Sequence, residues 1–121
     1  MNKTRPVYLD LTKIRMPLAA IVSILHRASG FVLFLVIPYL LILWNRSLSN
    51  AEAYDNLQLA LQSNITRGVI YLILLALLYH WVAGIRHLLM DMGIGEDKIS
   101  GRRGAILVLA VVVLLALMLG V

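Results

Sequence analysis

Residues 104–121 read GAILVLAVVVLLALMLGV, eighteen consecutive positions without a polar side chain. A helix of about 17–25 such residues crosses the ~30 Å hydrocarbon core of a bilayer. Working back along the chain, Gly68 to Ile85 is a second charge-free run of 18, interrupted by His80, and Ala28 to Trp44 is a third, of 17. Pro17 suits a first helical turn, so the first helix extends back to Leu18. Leu18 to Trp44 is 27 residues, or about 40 Å at ~1.5 Å per residue. The extension draws Ser23, His26 and Arg27 into the membrane, and Pro38 predicts a local kink. The expected fold is an all-α membrane protein, one membrane-anchor domain over 1–121. Its three transmembrane helices fall at about 18–45, 66–87 and 103–121, after an N-terminal arm at 1–17.

Composition supports this class. Of the 121 residues, 61% are hydrophobic and 14% charged, against about half and about a quarter in soluble domains. The chain has no cysteine, which excludes iron–sulfur clusters, disulfides and thiolate metal sites of its own. It has no Gly-rich phosphate loop. The net charge of +5 does not point to nucleic acid, because the basic residues flank apolar spans instead of forming one face of a folded domain. The first span exceeds the ~7–15 apolar residues of a cleaved signal and lacks a small-residue cleavage site. No Ser/Arg-rich transit segment is evident, which favours a bacterial chain.

Orientation follows from the basic residues, since Lys and Arg concentrate in cytoplasmic loops. The arm carries Lys3, Arg5, Lys13 and Arg15, and the second loop carries Arg86, Lys98, Arg102 and Arg103. The first loop has only Arg46 and Arg67. The N-terminus and the 86–103 loop are therefore expected in the cytoplasm, with the first loop and the C-terminus outside. Within the first loop, Ser49 and Glu52 are spaced as a capping box, ahead of Tyr54, Leu57 and Leu61 at helical intervals. That pattern fits a short surface helix as well as an irregular loop.

Polar groups inside the spans carry the functional information, because a charged side chain near a helix centre costs ~2.5–3.5 kcal/mol on insertion scales. Ser23, His26 and Arg27 fall on one face of the first helix, beside Ala19 and Gly30. Snorkelling would account for Arg27 alone, and a helix–helix seam would also use small residues. The three polar groups together favour a ligand site. In the second span His80, Gly84, His87 and Asp91 share a face with Ala76 and Ala83. A membrane histidine is often a hydrogen-bonded packing residue. Here Gly84, one turn away, is expected to clear space beside the His80 ring, and Asp91 to orient His87 or stabilise the loop. Both faces lie toward the cytoplasm and are expected to form one pocket.

Arg5-Pro6 followed by Ser23-x-x-His26-Arg27-x-Ser29-Gly30 resembles the first signature of the cytochrome b subunits of succinate dehydrogenase. His80-x-x-x-Gly84-Ile85-Arg86-His87-x-x-Met90-Asp91-x-Gly93 resembles the second. The resemblance implies one of two small anchors in a heterodimeric helix bundle, in a bacterial inner membrane. The partners it implies are a second membrane-anchor subunit, an iron–sulfur subunit and a flavoprotein subunit, with FAD and the clusters confined to those soluble partners. It also implies that His80 is one axial ligand of a haem b shared with the second anchor, and that Ser23 and Arg27 belong to a ubiquinone site. His26 and Arg27 would lie near the haem propionates, with His87 a further candidate contact.

The residues agree with that chemistry. Without cysteine or a nucleotide motif, any redox partner must bring its own clusters and flavin. A cation and a hydroxyl can hydrogen-bond a quinone oxygen and stabilise the charge that develops there on reduction. The alternatives are the anchor of a quinol:fumarate reductase and a purely structural anchor without a redox role. A small transporter would show inverted repeats or broken helices, and neither is present in the sequence.

Overall fold

The computed structural model describes residues 17–120, and all of their regular structure is helical: α1 (Leu18–Ser47), α2 (Ala51–Leu61), α3 (Asn64–Asp91) and α4 (Lys98–Gly120). Helices α1, α3 and α4 are long and apolar enough to cross a membrane. At ~1.5 Å per residue they are about 45, 42 and 34 Å long, so each exceeds the hydrocarbon core and extends into the interfacial zones. The N-terminal arm, with Lys3, Arg5, Lys13 and Arg15, and Val121 lie outside the described residues.

Helix α3 is the centre of the bundle and packs against both α1 and α4, which also touch each other. The three meet at Val22, Ala83, Ala105 and Val108, with Tyr79 and Val82 packed around them. Ala83 and Ala105 in this seam let the backbones approach closely, which matters because lipid provides no hydrophobic drive between helices. Outward-facing Phe34 is 71% and Trp81 61% exposed, as lipid-facing side chains should be.

Two tyrosines fix the axial level of α3 against its neighbours. Tyr79 Oη donates to the Val22 carbonyl at 2.6 Å, and Tyr71 Oη donates to the Ala116 carbonyl at 3.1 Å. A phenol in hydrocarbon needs such a partner. Helix α1 runs through Pro38, whose missing N–H leaves the Phe34 carbonyl without its usual intrahelical donor.

The first loop forms a helix, but its cap is not the expected one. Asn50 accepts from the Ala53 amide at 2.7 Å, whereas Ser49 donates back to the Arg46 carbonyl at 2.6 Å. The start of α2 therefore moves one residue on from the Ser49–Glu52 spacing. Helix α3 ends in a paired closure: Ile94 N–H donates to the Leu89 carbonyl and Gly93 N–H to the Met90 carbonyl. Gly93 has φ +84°, a left-handed conformation that glycine adopts without a Cβ penalty. Helix α4 begins at Lys98, ahead of the expected 103. The Asp97 carboxylate accepts from the Ser100 amide at 3.2 Å, as an N-cap does.

Candidate functional site

The polar faces of α1 and α3 meet directly. The His26 and His80 rings stack with centroids 4.2 Å apart and planes 8° apart. His87 tilts against His26 from the other side, at 4.9 Å and 38°. His26, His80 and His87 are all half-buried. The sequence pattern thus brings together three of its five candidate residues as one imidazole cluster.

Glycines make that cluster possible, in a different arrangement from the one expected. A Cβ on Gly30 would sit 2.9 Å from His80 Cε1, and one on Gly84 would sit 3.3 Å from His26 Nε2. Gly84 therefore clears His26, and the notch beside His80 belongs to Gly30. The correction follows from the crossing of the helices: each ring reaches across the seam and lies over the glycine of the opposite helix.

His80 is held by one nitrogen. Its Nδ1 lies 3.2 Å from the His26 carbonyl oxygen and 3.1 Å from Ser29 Oγ. Ser29, itself buried, donates its own proton to the His26 carbonyl at 2.7 Å. Both neighbours of Nδ1 are then acceptors, so the neutral ring carries its proton on Nδ1 and its lone pair on Nε2. That is the tautomer of a metal-ligating histidine, whose other nitrogen is normally tied to a carbonyl or carboxylate. Among the described residues no three His, Asp or Glu side chains converge as a metal cage. One imidazole offered from this chain, with a further ligand from elsewhere, is the donor set that haem iron would find here.

Ser23 is half-buried and Arg27 exposed on α1, one turn apart on the flank of the imidazole cluster. Asp91 is exposed, and His87 Nε2 is buried with no partner among the described residues, so Asp91 does not orient that nitrogen. Ser29 and Arg86 stand in the two signatures without a role there, and Tyr79 lies outside both. Arg86 is 7% exposed and Nη2 donates to the Gly101 carbonyl at 3.2 Å, tying α3 to α4. Gly101 and Gly104, three apart at the start of the last helix, were the available signal for this close approach. A separate groove of about 340 Å³ lies between α3 and α4, lined by Trp81, Ile85, Leu107 and Val111. It contains none of the histidines and opens between apolar side chains, as a lipid-facing crevice would.

Residues 1–119 match the family described as succinate dehydrogenase/fumarate reductase transmembrane subunit. The chain is 44% identical to the succinate dehydrogenase cytochrome b556 subunit of Coxiella burnetii, over 100% of this chain and 98% of that protein. It is 38% identical to the cytochrome b556 subunit of Rickettsia prowazekii, over 75% of this chain and 70% of the relative. The cytochrome b560 subunit of Reclinomonas americana is 30% identical, over 77% and 68%. With three spanning helices, these likenesses describe a multi-pass membrane protein, in agreement with a bacterial inner membrane.

Proposed function

The chain belongs to the succinate dehydrogenase/fumarate reductase transmembrane-subunit family, and from that premise we propose that it binds one side of a haem b and forms part of a ubiquinone-reducing site. The reading rests on a single observation: the His80 ring is tied at Nδ1 by two acceptors, leaving Nε2 as the ligand nitrogen. The cytochrome names of the relatives support the haem. A second anchor subunit would supply the other imidazole to the haem iron, and iron–sulfur and flavoprotein subunits would supply electrons from succinate.

Haem b, when bound, supplies a one-electron store. The residues of this chain do the rest. His80 Nε2 would hold the haem iron, and the Nδ1 bonds keep the ring from turning. His26 and Arg27, with His87 nearby, would offset the negative charge of the haem carboxylates. Ser23 and Arg27 donate hydrogen bonds to a quinone oxygen, and the guanidinium offsets negative charge as electrons arrive. The N-terminus and the connection between α3 and α4, residues 92–97, face the cytoplasm, where the soluble subunits dock.

The visible and EPR spectra of the assembled complex test the ligand. His80→Leu is expected to abolish the low-spin haem signal, and His26→Leu to retain it. An intact bis-imidazole signal in His80→Leu would overturn the assignment.

A further inference from the structure

The Ser29 hydroxyl does more than hold the His80 ring in place, and its geometry assigns that further role. We infer that Ser29 is a positioning residue that sets the tautomer and the basicity of His80, and through it the redox potential of the haem. The inference rests on His80 being the axial ligand.

The donors and acceptors around His80 Nδ1 leave one arrangement. A serine hydroxyl has one proton and two lone pairs. Ser29 places its proton on the His26 carbonyl of its own helix at 2.7 Å, which fixes the side-chain rotamer. A lone pair of Oγ then faces His80 Nδ1 at 3.1 Å, and only an Nδ1–H can complete that contact. The His26 carbonyl, 3.2 Å from the same nitrogen, is also an acceptor. Ser29, the carbonyl and the imidazole close a small ring of polar groups spanning α1 and α3, where little water reaches and unmade bonds are expensive. Of its two acceptors, the carbonyl belongs to the backbone and cannot be removed by substitution, so the hydroxyl is the adjustable one.

A hydrogen bond accepted from Nδ1–H raises the electron density of the ring, which strengthens the Nε2 donor and favours the more positive ferric state. Loss of the hydroxyl should therefore weaken His80 as a donor and raise the haem potential. Ring orientation should survive, because the carbonyl remains.

Redox titration of the haem in the membrane-bound complex tests this directly. In Ser29→Ala the ferric/ferrous ratio at fixed potential is expected to fall by about three- to tenfold, or about 30–60 mV for a one-electron couple at ~59 mV per tenfold. Ser29→Thr keeps the hydroxyl and should titrate with the wild type. If Ser29→Ala fails to retain haem, Ser29→Cys, with its weaker sulfur acceptor, should shift the potential in the same direction. Potentials in Ala and Cys variants that match wild type would overturn the role of Ser29 while leaving His80 as ligand. A retained low-spin signal in His80→Leu would instead remove the ligand itself, so the two failures are distinguishable.

Discussion

The His26 and His80 imidazoles stack at 4.2 Å, and the glycine beneath each ring lies on the other helix. Gly30 of α1 backs His80 of α3, and Gly84 of α3 backs His26 of α1. The stack is thus a reciprocal joint. Neither ring moves without disturbing the close approach of the two helices, which couples helix packing to the orientation of the haem-ligand candidate.

Gly30→Ala should be the more damaging glycine substitution. Its Cβ would stand 2.9 Å from His80 Cε1, against 3.3 Å from His26 Nε2 for Gly84→Ala. Forcing a carbon into such a packed site costs about 1–3 kcal/mol, and at Gly30 the cost falls on the His80 ring. Haem content per assembled complex should drop sharply in Gly30→Ala and little in Gly84→Ala. Equal content in both would show that the joint does not control the ligand.

Topology is tested by reporter fusions at Asn56, in α2, and at Asp97, before α4. The Lys/Arg asymmetry predicts Asn56 outside and Asp97 in the cytoplasm. Signals from the same compartment would contradict the crossing of the membrane by α3, the one helix between the two positions.

Asp97 carries a pH signature outside the membrane. The Ser100 side chain and then the Ser100 amide hold its carboxyl below the usual 3.8. For a carboxyl depressed in the folded state, the stabilisation is present above the unfolded value and is lost as pH falls through the lower folded one. The first turn of α4 should stay capped at neutral pH and loosen only in acid. Asp97→Asn, which caps without titrating, should show no such acid step. A carboxyl-carbon NMR titration in the reconstituted protein should give a midpoint below 3.8, and a higher one would contradict the cap.

The three spans were legible because run length and hydropathy are properties of single segments. Their ends were not, since Lys98 to Arg103 continue α4 through polar residues that no apolar run includes. The face shared by Ser23, His26 and Arg27, and the one shared by His80 and His87, followed from helical period alone. Which glycine backs which ring depends on how α1 crosses α3, which helical period does not show, so Gly84 backs His26 where the sequence pairs it with His80. Ser29 stands in the first signature without a role, and its bond to the His26 carbonyl is one any helix serine can make. Only the register fixed by Tyr79 and Val22 places its remaining lone pair at His80. Ser49 and Asn50 are both good caps, and one-residue choices of this kind are decided by the local backbone.

Quinone reduction should depend most directly on two side chains of α1. Ser23 and Arg27 are four residues apart on α1, hence neighbours on one face and about 6 Å apart along the axis. Arg27 is exposed at the surface of the bundle while Ser23 is half-buried, as expected if a guanidinium reaches a ligand held between this chain and its partners. Losing a hydrogen bond to a charged group costs ~1.5–3 kcal/mol, so Arg27→Leu should slow quinone reduction by roughly 10- to 100-fold. Arg27→Lys should recover only part of the rate, because a point charge does not reproduce the planar fork of donors. Ser23→Ala should cost less than Arg27→Leu, since it removes a neutral donor. Succinate oxidation followed with a soluble dye that takes electrons upstream should stay near normal in all three variants, which separates a quinone defect from failed assembly. Wild-type quinone turnover and inhibitor sensitivity in both Arg27→Leu and Ser23→Ala would exclude these side chains from the quinone site and leave snorkelling to the headgroups as the reason Arg27 is tolerated in the membrane.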